Sequence, residues 1–65
     1  MNVLVNNELI RLHEHARVID AVRKYLAGNK ALPLDSVAGV TDHLEHPVGF
    51  NGRLHPGDRI QITFK

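Results

Sequence analysis

No cysteine occurs in these 65 residues, which excludes a disulfide and a thiolate metal site. Stability therefore rests on one apolar cluster, and a domain of this size buries only about 60% of the surface its unfolded chain exposes. Long apolar runs are also missing: Val3-Leu4-Val5 and Tyr25-Leu26-Ala27 are typical, so neither a membrane-spanning helix nor a signal-peptide core is expected. Charge of one sign is scarce. Eight Lys and Arg against seven Asp and Glu leave +1, too little to draw nucleic acid or a membrane surface by long-range attraction. Arg17, Arg23, Lys24 and Lys30 make one region mildly basic, as a solvated helix face does. Tyr25 and Phe50 are too few and too separated for a base-stacking platform. Repeats and low-complexity tracts are absent as well. The expectation is a single domain, residues 1–65, in the reducing cytoplasm.

What is present is a readable order of elements. Val3 and Val5 alternate with Asn2 and Leu4, and Ile10 and Leu12 alternate with Leu9, Arg11 and His13. Asn6-Asn7 between them supplies the left-handed pair that a two-residue hairpin needs. Val3, Val5, Ile10 and Leu12 then share one face, which an isolated hairpin cannot shield from water. From Val18 to Ala27, Val18, Ile19, Ala21, Val22, Tyr25 and Leu26 recur at helical spacing and form a stripe able to cover that face. Its start signal is poor: Ala16 and Arg17 stand where a capping Ser, Thr, Asp or Asn is usual. Gly28-Asn29 is a good stop.

Lys30 to Asp35 reads as a connector wrapping the helix end, Ser36 to Val40 as a short strand with Val37 inward, and Thr41 to Pro47 as either a turn region or a short helical turn. Val48-Gly49-Phe50-Asn51-Gly52 reads as a brief strand and a turn, and Leu54 as a core plug. After a Pro56-Gly57-Asp58 turn, Ile60, Ile62 and Phe64 alternate with Arg59, Gln61 and Thr63 in a last strand. The compact solution is an α+β domain. The hairpin and last strand share a sheet, the helix lies across it, and the first and last strands pair in parallel at the centre.

The stretch Met1 to Glu8, with Ile10-Arg11-Leu12 and Val18 to Leu26, resembles the first hairpin and helix of the β-grasp, ubiquitin-like family that includes the bacterial thiamine- and molybdopterin-pathway sulfur carriers. Leu54, Gly57, Asp58, Ile60 and Ile62 resemble its C-terminal half. The resemblance implies a mixed four- to five-stranded sheet on one helix, and a protein partner of the adenylating, ubiquitin-activating-like kind. The family's carriers end in a flexible diglycine whose carboxylate becomes a thiocarboxylate. Gly28, Gly39, Gly49, Gly52 and Gly57 are all isolated, and Phe64-Lys65 are too bulky for that channel. The Thr or Ser that usually begins the family's helix is also replaced by Ala16-Arg17.

The expectation is therefore a non-catalytic interaction domain with no cofactor. The alternatives are a sulfur carrier that has lost its glycine tail, and a regulatory or RNA-associated grasp domain of the kind found in threonyl-tRNA synthetases and stringent-response enzymes. The run Val48 to Leu54 with Gly57 to Thr63 is similar to the C-terminal half of that second group.

Five histidines invite a metal reading, with His13 and His15 two apart and His43 and His46 at turn or helical spacing. With no Cys and no fixed acidic partner they read as exposed loop histidines, and no metal ligand is assigned. Asp42, Glu45 and Asp58 have no accompanying nucleophile, and Asp58 is expected to shape the Gly57 turn. The remaining candidates are outward sheet residues: Leu4, Leu9, Arg11, Arg59, Gln61 and Thr63 form the expected protein-docking patch.

Overall fold

The computed structural model describes residues 1–29 and 32–65. Strand β1, Asn2–Val5, turns through Asn6-Asn7 into β2, Glu8–Arg11. Both asparagines are left-handed, with φ of 50° and 68°, the pair of values that lets two residues reverse a right-twisted hairpin. Helix α1 spans Val18–Asn29, a single 3₁₀ turn Leu34–Ser36 follows, then β3, Val37–Asp42, and β4, Arg59–Phe64. The sheet order is β2-β1-β4-β3. Its outer pairs, β1 with β2 and β3 with β4, are antiparallel, and the central pair β1 with β4 is parallel, matching Val5 to Ile60. The domain is α+β, one helix on a four-stranded mixed sheet. No described helix is long and apolar enough to cross a membrane.

Alternation decides which side chains meet the helix. Val3, Val5, Ile10, Leu12, Val40, Ile60 and Ile62 are buried with Val18, Ala21, Val22 and Leu26 of α1, and Leu54 closes the same cluster. Lys24 reaches from the helix to the open edge of β2, where its Nζ donates to the Arg11 carbonyl at 2.6 Å.

The helix start, weak in sequence, is completed from elsewhere. Asp20 Oδ2 accepts from the Arg17 N–H at 2.8 Å, which is the carboxylate half of a capping box. The next free donors, the N–H groups of Val18 and Ile19, donate to the carbonyls of Gly52 and Phe50 at 2.9 and 3.0 Å. Gly52 permits that approach: a Cβ there would stand 3.2 Å from the Gly49 carbonyl oxygen and 3.5 Å from Val18 Cγ2.

Several expectations need correction. The helix continues through Gly28 to Asn29 rather than ending at Ala27, and the connector residues Lys30 and Ala31 lie outside the described residues. Ser36 belongs to the 3₁₀ turn, and β3 runs on to Asp42. Residues 43–46 are a turn, with Glu45 left-handed at φ 64°. Val48-Gly49-Phe50 is no strand: an isolated bridge joins Thr41 to Pro47, and a turn follows that brings the Gly52 N–H to the Gly49 carbonyl. Phe64, last residue of β4, is 38% exposed, and the β3 register shift between Val37 and Gly39 places the buried Val37 opposite it.

Candidate functional site

Since the buried strand residues all face α1, their neighbours in sequence face the other way. Leu4 lies opposite Leu9 on β2 and beside Arg59 on β4, so the three form one row across the sheet. Hydrogen bonds pair Met1 with Leu12 in both directions, and the alternation of an antiparallel ladder then makes Leu4 and Leu9 a non-hydrogen-bonded pair, the closer kind. Arg11 stands opposite Asn2. Gln61 stands opposite Thr41, and Thr63 opposite Gly39, to whose carbonyl its hydroxyl donates at 3.1 Å. All six expected patch residues therefore share the face that the helix leaves uncovered. Leu9 is 63% exposed and Leu4 half-buried.

The charge on this face has one sign. Its strand positions carry Arg11 and Arg59 and no carboxylate. Glu8 and Asp42 pair with the buried Val5 and Ile60 and so stand on the helix side, while the other five carboxylates are in α1, the 3₁₀ turn or loops. An aliphatic pair flanked by two guanidinium groups is suited to an apolar partner surface bordered by Asp or Glu.

The acidic candidates hold backbone. Asp58 Oδ2 accepts from the His55 N–H at 2.8 Å, and the Asp58 N–H donates to the His55 carbonyl at 3.0 Å. Gly57 at φ +86° supplies the third residue of this turn after Pro56, the arrangement of a type II turn. Asp42 Oδ1 accepts from the Leu44 and His46 N–H groups at 2.8 and 2.9 Å. The His46 amide is the main reason its carboxyl is held below the usual value of 3.8; desolvation opposes this, and the Leu44 amide and the His46 and His43 imidazoles add to it.

A depressed carboxyl pKa favours the folded turn above the unfolded value, and that contribution is lost as pH falls through the lower, folded one. The Leu44 and His46 amide resonances are expected to titrate together with a midpoint below 3.8. Asp42→Asn removes that titration. A midpoint at or above 3.8 contradicts the assignment.

The five histidines do not gather into one cluster. His13 Nδ1 lies 2.7 Å from the Glu14 carbonyl, while His46 and His55 approach Asp42 and Asp58 at 3.9 and 3.6 Å. Among the described residues no three His, Cys, Asp or Glu come together to hold a metal.

Asn6, read from sequence only as a turn residue, has a second role. Its Oδ1 accepts from the Ile62 N–H at 2.7 Å, and its Nδ2 donates to the Ile62 carbonyl at 3.3 Å and to the Tyr25 hydroxyl at 3.5 Å. The side-chain amide thus continues the β1/β4 ladder past the end of β1. Comparison of the chain with protein-family models, curated proteins and solved structures finds no match to any of them.

Proposed function

We propose that this chain is a β-grasp, ubiquitin-like interaction domain related to sulfur carriers, which docks a protein partner through the uncovered sheet face and performs no catalysis itself. The grasp reading is supported by the order strand, strand, helix, strand, strand with β1 and β4 parallel at the centre. The observation that carries the docking reading is the Leu9-Leu4-Arg59 row, extended by Arg11, Gln61 and Thr63, on a face without a carboxylate. A binding role is also favoured by the use of the Asp20, Asp42 and Asp58 carboxylates as backbone acceptors.

The partner class to try first is an adenylating, ubiquitin-activating-like enzyme. With the purified enzyme in solution and the domain immobilised, saturable binding is expected. Leu9→Asp and Arg59→Glu should each weaken it about tenfold or more, because an anchor or its flanking charge is lost from the centre of the contact. Unchanged capture by both folded variants would sink the sheet-face site, and no binding at all would remove this partner class. The two arginines of this face, Arg11 and Arg59, also favour a second reading, the RNA-associated grasp domain. Salt-sensitive RNA binding that Arg11→Glu and Arg59→Glu abolish would assign the face to it.

A further inference from the structure

A second feature lies at the end of the hairpin away from Asn6-Asn7. There Met1, Glu14, His15, Arg53, Leu54, His55 and Pro56 line a cleft of about 550 Å³. That volume falls within the range of about 300–1,000 Å³ that small-molecule sites occupy. The cleft is set by backbone features. His15 is left-handed at φ 65°, and the Leu54 N–H donates to the Ala16 carbonyl at 3.2 Å, which fixes the 14–16 segment against 53–56. The type II turn at Pro56-Gly57 closes the 53–56 side.

Two polar side chains of the cleft, Arg53 and His15, are unspent among the described residues, while the Met1 ammonium donates to the Leu12 carbonyl at 2.6 Å. Arg17, one bridge partner of Arg53, has its guanidinium tied to the Asn51 carbonyl at 2.7 Å. The Arg53 guanidinium has no hydrogen bond or ion pair among the described residues, although Glu14 lines the same cleft. His15 likewise has no side-chain partner among them, and His55 engages only Asp58, through Nδ1. Met1, Leu54 and Pro56 give the cleft apolar lining.

We propose that this cleft binds a small organic carboxylate with a compact apolar body. Arg53 is its charge partner, in the two-pronged geometry that a guanidinium offers a carboxylate, and His15 and His55 are further donors. Glu14 at the same cleft opposes an anionic ligand, so Arg53 has to outweigh it. The site shares no residue with the sheet face and stands or falls independently of it.

The test is a ¹H–¹⁵N titration of the whole chain with benzoate and benzyl alcohol. Benzoate is expected to give saturable shifts at residues 14–16 and 53–56 in the millimolar range, and benzyl alcohol, the uncharged analogue, to bind at least tenfold more weakly. Arg53→Gln should erase the preference for benzoate over the alcohol while leaving distant resonances in place, and Arg53→Lys should restore part of it. The proposal is overturned by shifts that do not saturate, by equal binding of benzoate and benzyl alcohol, or by an unaltered preference in Arg53→Gln.

Discussion

Asn6→Ala is expected to destabilise the domain by about 3 kcal/mol, a large share of the roughly 3–10 kcal/mol that 65 residues ordinarily hold. Two losses combine. Alanine at φ 50° carries the steric cost of the left-handed region, of order 1 kcal/mol. The hydrogen bonds to the Ile62 N–H and carbonyl disappear as well, at about 0.5–1.5 kcal/mol each and more if those groups stay dry. Asn6→Gly separates the two, since glycine accepts the turn and lacks only the amide; it should cost about 1 kcal/mol less than Asn6→Ala. Asn7→Gly, at φ 68° in the same turn, should stay within about 0.5 kcal/mol of the parent chain because it preserves the hairpin geometry. Urea unfolding curves measure all three. A cost below about 0.5 kcal/mol for Asn6→Ala would show that the side-chain amide does not hold β4.

The second large effect separates the two faces of the sheet. Ile60 is 5% exposed and paired with Val5, so Ile60→Ala should cost about 2–5 kcal/mol through lost burial and the cavity left behind. In a domain this small that is enough to populate the unfolded state at room temperature. Leu9, 63% exposed on the opposite face, should tolerate alanine within about 0.5 kcal/mol. On the proposed docking reading the same Leu9→Ala change should still weaken partner binding, so that stability and docking would respond to opposite faces of one sheet. Comparable stability losses at Leu9 and Ile60 would mean that both faces are covered.

The elements readable in sequence were those whose signal is local. Strict alternation at Val3, Val5, Ile10 and Leu12 and at Ile60 and Ile62 reports one buried face, and each of these residues is buried. Asn6-Asn7 and Pro56-Gly57-Asp58 are turns by their own backbone preferences, and they are turns in the structure. The six outward residues followed from the same alternation, since period two fixes both faces at once.

What was not legible depends on distant chain. The cap of α1 comes from carbonyls more than thirty residues away, at Phe50 and Gly52, so Ala16-Arg17 looked like a poor start although the donors are satisfied. The clamp from Asn6 to Ile62 has no local signature, and the extra β3 residue between Val37 and Gly39 shows only once β3 and β4 are in register. The single-sign charge of the sheet face was equally hidden, because a net charge of +1 says nothing about which carboxylates end up on which side.

The most direct test of the account is a methyl NOESY spectrum of the whole chain. Val5 and Ile60 are predicted to share a strong cross-peak, with Val22 close to the same buried cluster and Leu9 methyls seeing Leu4 but none of the helix. Val5 methyls that contact only β2, with no cross-peak to Ile60, would contradict the parallel centre on which both the covered and the open face depend.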